Sequence, residues 1–184
     1  GPGHCSIYTG TSPRTHGIIG NEWFDKNSGK TIYCVFDSLV NPVGSENKRE
    51  KMSPRNQLSS TIGDELKMTL NKKSKVFGIG IKDRSAVLTA GHTADGAFWY
   101  EDKSGNFISS SWYMNELPKW LQNFNSKKLP RTLLENSWNT LYPIATYTNS
   151  ISDDNQFENT PSNNKNAIFP YEYKKYLDKN NYDI

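Results

Sequence analysis

Two cations stand two residues apart in Lys82-Asp83-Arg84, at the end of the apolar run Lys-Val-Phe-Gly-Ile-Gly-Ile over residues 75–81. On an extended chain, side chains at i and i+2 point to the same face. An ammonium and a guanidinium delivered to one spot make a place for a small anion. Phosphate fits best, because arginine offers a planar fork of donors and lysine a compact point charge. Taken alone, the same three residues read more readily as a solvated, charged turn.

A second polar group with chemical potential is Asn21, which follows His16-Gly-Ile-Ile-Gly20. Two glycines so close to an asparagine describe a tight, exposed backbone corner. The amide there either donates to an oxyanion or serves its own turn.

Other combinations carry less chemistry. His4, His16 and His92 are the only histidines, and none stands in a His-x-His, Asp-His, His-x-x-x-His or Asp-x-x-x-His pattern. A two-zinc centre needs about six to eight protein ligands, so the three read as structural. Gly78-x-Gly80 lacks the third glycine and following helix of a dinucleotide fingerprint. Phe98-Trp99-Tyr100 could stack a sugar or base, or pack a ribbon. Asp153-Asp154 lies in a polar stretch and reads as solvated.

The elements that must position these groups follow from the apolar patterning. Residues 4–9 read as a short helix ended by Gly10-Thr-Ser-Pro13. Glu22–Phe24 and Thr31–Phe36 are strand-like around the turn Lys26-Asn-Ser-Gly29. Asn41–Pro54 reads as a polar loop. Leu58, Ile62, Leu66 and Leu70 recur every four residues and predict an amphipathic helix of about three turns. Lys75–Ile81 and Ala86–Thr89 are candidate buried strands. Phe98–Tyr100 and Asn106–Ile108 flank a second hairpin turn. Glu116–Phe124 reads as a helix with Pro118 in its first turn. Asn149–Lys165 reads as a surface excursion, and Tyr171–Leu177 as helical. The alternation implies an α/β or α+β fold with small antiparallel ribbons.

At 184 residues the chain can form one domain with a core, or part of a larger one. Only 34% is hydrophobic, but five Trp, ten Tyr and eight Phe argue for a folded chain with aromatic packing rather than disorder. A net charge of +3 without a dense Lys/Arg run gives no nucleic-acid groove. No apolar stretch is long enough to span a bilayer as a helix. Cys5 and Cys34 are either one disulfide or two buried thiols.

Taken in order, several motifs resemble one family. They are Gly-Pro-Gly-His-Cys-Ser-Ile-Tyr-Thr-Gly (1–10), His-Gly-Ile-Ile-Gly-Asn-Glu-Trp-Phe-Asp (16–25) and Gly-Asp-Glu-Leu-Lys (63–67). Then come Ser-Lys-Val-Phe-Gly-Ile-Gly-Ile-Lys-Asp-Arg (74–84) and Thr-Ala-Gly-His-Thr-Ala-Asp-Gly-Ala-Phe-Trp (89–99). The set is similar to the phosphate-irrepressible alkaline phosphatases of bacteria, within the alkaline phosphatase superfamily. The likeness is strong over residues 1–125 and looser over 126–184.

The resemblance implies a portion, read as a single partial domain over residues 1–184, of an alkaline-phosphatase-like α/β/α sandwich with ribbon insertions. It also implies a periplasmic or secreted two-zinc phosphomonoesterase working through a phospho-threonine. Asn21 would hydrogen-bond a phosphoryl oxygen, and Lys82 and Arg84 would hold the oxygens opposite the metals. A dianionic monoester suits two cations, so the pair favours a monoesterase over a nucleotide pyrophosphatase or phosphodiesterase of the same superfamily. A non-catalytic anion-binding module is the third reading.

The family's nucleophilic threonine would precede Gly1, and its metal ligands have no counterpart in this sequence. The chain therefore reads as an internal segment, catalytically incomplete alone. Its implied partners are phosphate monoesters, the rest of its enzyme or copies of itself, with no nucleic acid or membrane.

Overall fold

The computed structural model describes residues 1–155, 157–158 and 167–176. Backbone packing divides the chain into two compact units, one of residues 1–101 and 106–123, the other of residues 102–105 and 124–184.

The first unit opens with helix α1 (Pro2–Thr9), longer at its N-terminus than the expected 4–9 because Pro2 is tolerated in a first turn. A short α2 (Pro13–His16) ends on Gly17, whose φ of +81° suits glycine. Strands β1 (Glu22–Asp25) and β2 (Lys30–Tyr33) form the expected antiparallel ribbon, with Glu22 opposite Tyr33. The predicted loop over 41–54 contributes a two-residue strand, β3 (Pro42–Val43). Helix α3 (Ile62–Thr69) leads to β4 (Phe77–Gly80), α4 (Asp83–Ala90) and the second hairpin, β5 (Gly96–Glu101) and β6 (Asn106–Ser110). The four-stranded sheet runs β3-β6-β5-β4, with β4 parallel to β5 and the other pairs antiparallel. Helix α5 (Lys119–Ser126) starts directly after Pro118 rather than around it.

Three expectations fail here. Ala86–Thr89 is not a strand but the body of α4. A short apolar run does not distinguish the two, and Ala86, Val87 and Ala90 form a buried helical stripe instead. Gly78 explains the fit, because a Cβ there would strike the Ala86 carbonyl and come within 2.8 Å of the Ala90 Cβ. With glycine, strand and helix backbones touch.

Secondly, Lys75–Ile81 shortens to β4, and its large side chains are not buried. Phe77, Ile79 and Ile81 are all more than half exposed. Thirdly, α3 has eight residues rather than three turns, and its Leu58/Ile62/Leu66/Leu70 stripe faces outward. Polar groups are inside instead: Asp64 and Lys67 are buried. Their bonds decide the orientation. Thr61 and Asp64 make a reciprocal capping box, and Lys67 Nζ pairs with Asp95 Oδ2 at 2.6 Å.

The main core gathers Cys5, Ile18, Val35, Val87, Leu88, Trp99 and Ile108. Cys5 and Cys34 are both free and fully buried, and burial pushes each thiol up to about 11.

In the second unit, α6 (Leu129–Leu134) precedes an isolated bridge between Trp138 and Tyr171. Trp138, Phe169, Tyr171 and Tyr173 form an aromatic cluster with ring centroids 4.6–6.3 Å apart. Tyr173–Tyr176 is a 3-10 turn in the segment expected to be helical, and Leu177 lies outside the described residues. Among the described residues no helix is long and apolar enough to cross a membrane.

Candidate functional site: an anion clamp at the start of helix α4

Lys82 and Arg84 do not share a strand. Strand β4 ends at Gly80, Lys82 is the N-cap of α4 with extended φ and ψ of −98° and 139°, and Arg84 lies in the helix's first turn. On a helix, positions two apart are about 200° apart around the axis, so alternation along a strand cannot bring these cations together. What places Arg84 is a tertiary contact. Its Nη1 donates to the Tyr33 hydroxyl at 3.0 Å, and that hydroxyl donates to Asp83 Oδ1 at 2.5 Å. The Asp83 carboxylate also accepts the Arg84 backbone N–H. The hydrogen bond to Tyr33 is the main cause holding Arg84 above its ordinary value, so the guanidinium is permanently charged.

Asn21 reaches the same locale from the ribbon. Gly20 makes the corner it stands on: a Cβ at Gly20 would lie 2.7 Å from the Glu22 carbonyl oxygen. The Asn21 carbonyl accepts from Cys34 N at 2.9 Å, which pins the residue to the end of β2. Its side-chain Oδ1 accepts from the Gly1 nitrogen at 2.7 Å. That donor fixes the amide orientation, with oxygen toward Gly1 and the NH2 group turned away from it. The amide nitrogen has no partner among the described residues.

The ribbon links the two halves: Cys34 donates its N–H to the Asn21 carbonyl, and the adjoining Tyr33 holds Arg84 through its hydroxyl. Lys82 is exposed, and its side chain makes no hydrogen bond or ion pair among the described residues. An amide N–H and a guanidinium tied to one ribbon, with an exposed ammonium at the start of α4, are an inventory suited to a multiply charged oxyanion.

A buried polar hub pins the far end of α4. Asp64 accepts from Thr61 N and Oγ1, His92 N, and Thr93 N and Oγ1 at 2.7–3.2 Å. Burial alone would raise its carboxyl. Donors from His92, Thr61 and Thr93 outweigh burial and hold it well below the usual carboxylate range. His92 is raised by Asp64, 3.5 Å from Nδ1, while Nε2 lies 2.9 Å from the Gln57 carbonyl oxygen. His16 packs in the core with Nε2 3.0 Å from Ser6 Oγ and is lowered by burial. Both histidines serve the scaffold.

Among the described residues, no three of His, Cys, Asp and Glu stand together so as to hold a metal ion. The residues present do not fit a zinc pair, and no chemical step here runs through one.

Sequence reasoning missed Tyr33 and the hub. The ribbon's register could have flagged Tyr33: the turn places it opposite Glu22, the neighbour of Asn21. The local Thr61-x-x-Asp64 spacing signals only a capping box; the donors that make Asp64 a hub come from a turn 28 and 29 residues away.

A profile of the type I phosphodiesterase / nucleotide pyrophosphatase family matches residues 1–171. The chain is 51% identical over 178 residues to alkaline phosphatase PhoV of Synechococcus elongatus, covering 97% of this chain and 32% of that protein. It is 48% identical over 170 residues to alkaline phosphatase PafA of Elizabethkingia meningoseptica, covering 92% of this chain and 31% of that one. The crystal structure of wild-type PafA superposes with a TM-score of 0.92 at 46% identity, over 95% of this chain and 34% of that one. A PafA variant substituted at one threonine, one asparagine, one lysine and one arginine superposes with a TM-score of 0.90 at 43% identity, over 95% and 35%. The chain spans about a third of the length of the relatives it matches. The α/β architecture expected from the motifs is therefore that of the PafA fold, and the resemblance to bacterial alkaline phosphatases holds. The chain belongs to the type I phosphodiesterase / nucleotide pyrophosphatase family.

Proposed function

We propose that this chain is the phosphate-gripping portion of a phosphomonoesterase of the alkaline phosphatase type. Asn21 donates its amide N–H to one phosphoryl oxygen, and Arg84 and Lys82 neutralise the others. The observation that carries this is that one ribbon holds both Asn21 and Arg84, far apart in sequence: Cys34 donates its N–H to the Asn21 carbonyl, and the adjoining Tyr33 hydroxyl accepts from Arg84 Nη1. The PafA variant supports it: its substituted residues are of the same types, with the lysine and arginine likewise two positions apart. In this reading the hydroxyl oxygen of a threonine adjoining Gly1 attacks phosphorus, the bond from phosphorus to the ester oxygen breaks, the alcohol leaves with a proton, and water then cleaves the phospho-threonine to inorganic phosphate. The nucleophile and two zinc ions come from elsewhere in the enzyme, which is periplasmic or secreted.

The family's own description favours a second reading, a nucleotide pyrophosphatase or phosphodiesterase. Charge distinguishes them. A monoester dianion carries two charges for the Lys82/Arg84 pair to meet, and a diester carries one. Removing one preorganised donor from a developing oxyanion costs about 10²–10³ in turnover. In the full-length enzyme, Arg84→Ala and Lys82→Ala are expected to lower p-nitrophenyl phosphate kcat/KM on that scale. Turnover of bis(p-nitrophenyl) phosphate should fall far less. Equal losses on both esters would refute the monoesterase reading. The 184-residue chain alone is expected to hydrolyse p-nitrophenyl phosphate poorly with zinc present.

The apolar face of β4 and α3 supports a further part of the proposal, association with the rest of the enzyme or with copies of this chain. Strand β4 pairs only with β5 among the described strands, and Ile62, Leu66, Phe77 and Ile79 are exposed beside Tyr8.

A further inference from the structure

We infer that Tyr33 is the positioning residue of the clamp, holding the Arg84 guanidinium beside Asn21. This rests on the phosphoryl-gripping role proposed for Arg84.

The geometry begins with the ribbon. Asn21 stands at the start of β1, and Tyr33 ends β2 opposite Glu22. The two are further joined because the residue after Tyr33, Cys34, donates its N–H to the Asn21 carbonyl at 2.9 Å. A side chain fixed on this ribbon is therefore fixed relative to Asn21. From there the Tyr33 hydroxyl reaches across to α4, donating to Asp83 Oδ1 at 2.5 Å and accepting from Arg84 Nη1 at 3.0 Å.

Each partner has a distinct task. Asp83 accepts the hydroxyl proton, which turns the oxygen's lone pairs toward Arg84. The hydroxyl is interposed, so among the described residues Arg84 makes no ion pair with a carboxylate that would compete with an incoming anion. One guanidinium N–H goes to Tyr33 and the remaining donors of the fork stay available to a phosphoryl group. Arginine is long and rotamer-rich, and Arg84 has this one side-chain anchor among the described residues. Without it the guanidinium would spread over several rotamers, and a displacement of about 1 Å is enough to cost about a hundredfold in rate. Phenylalanine at 33 would fill the same volume and leave the arginine unanchored.

The arrangement also suits alkaline conditions. An ordinary tyrosine ionises near pH ~10. Burial, then the hydrogen bond to Asp83, push Tyr33 well above that. The hydroxyl stays both donor and acceptor where a solvent-exposed tyrosine would begin to lose its proton.

The test uses the full-length enzyme with Tyr33→Phe, Arg84→Ala and the double variant. Its readouts are p-nitrophenyl phosphate kcat/KM, the inhibition constant of inorganic phosphate and the thermal midpoint. Tyr33→Phe is expected to lower kcat/KM and weaken phosphate inhibition by about tenfold, the value of one hydrogen bond to a charged group. In the Arg84→Ala background the same substitution should change either quantity less than about twofold, since groups acting as a unit are non-additive. A structural role alone would damage both backgrounds equally. Tyr33→Phe within about twofold of wild type, or a full tenfold loss in the Arg84→Ala background, overturns the inference. If Arg84→Ala itself leaves turnover and phosphate inhibition intact, the clamp reading fails, and this inference with it. Damage by Arg84→Ala beside a neutral Tyr33→Phe sinks only the role given to Tyr33. Should Tyr33→Phe not fold, Asp83→Asn is judged by the same coupling to Arg84.

Discussion

Asp64 offers the sharpest test of how the clamp's helix is held. Its carboxylate gathers five N–H and O–H donors within 3.2 Å, from Thr61 at the start of α3 and from the His92-Thr93 turn after α4. It is 2% exposed, so water cannot replace it. Asp64→Ala would leave these donors unpaired in the interior. One buried donor left unsatisfied costs about 1–3 kcal/mol. Removing one member of a buried charged network costs about 3–5 kcal/mol in practice, since neighbours relax and the single costs do not add. About 4 kcal/mol is the expected loss, a large share of the roughly 5–15 kcal/mol that holds an ordinary domain folded. Asp64→Asn keeps the shape and one acceptor oxygen but turns an NH2 group onto the other donors, so it should fall between wild type and alanine. Urea unfolding followed by tryptophan emission is the assay. Trp112 is a suitable reporter, since its indole N–H donates to the His92 carbonyl at 3.1 Å. A loss below about 1 kcal/mol for Asp64→Ala would refute the reasoning, because it would mean the donors find other partners. Gly91→Ala should behave alike. Its φ is +81°, and a Cβ there would collide with Asp64 Oδ2 and Thr61 Oγ1.

Two further outcomes are expected. His92 is raised in the folded state by Asp64, so its contribution is complete below the unfolded value of about 6.5 and is lost as pH rises through the folded value. Asp64 is lowered, so its contribution is present above about pH 4 and lost as pH falls. The thermal midpoint should therefore decline from mildly acidic toward alkaline pH, and His92→Gln should flatten that limb; an unchanged limb would contradict the charged pairing. The chain alone should also self-associate in light scattering, and Ile79→Lys on the open edge of β4 should shift it toward monomer. A stable monomer at high concentration counts against the exposed face as a contact surface.

The ribbon, the second hairpin, α1 and α5 were legible locally. Turn residues such as Lys26-Asn-Ser-Gly29 and a helix-starting proline act through backbone geometry over a few residues. The motifs also sufficed to identify the family, because order and spacing along the chain carry that information. Which way the elements face was not legible. The Ile62/Leu66 stripe obeys helical periodicity, yet faces outward, because Asp64 and Lys67 turn inward to partners across the fold, Thr93 and Asp95. Likewise Ala86–Thr89 became a helix because Gly78 admits one against β4.

The sequence by itself determined the types of group available to an anion: Asn21 at a glycine corner, and Lys82 and Arg84 beside one another. Only the tertiary structure decided how Arg84 is held. The strand argument for Lys82 and Arg84 fails because the strand ends at Gly80 and helix α4 begins at Asp83. Arg84 is placed by a tyrosine on a separate ribbon, through hydrogen bonds between residues about fifty positions apart. Local chemistry sets which side chains can bind; long-range packing and buried hydrogen bonds set where they point.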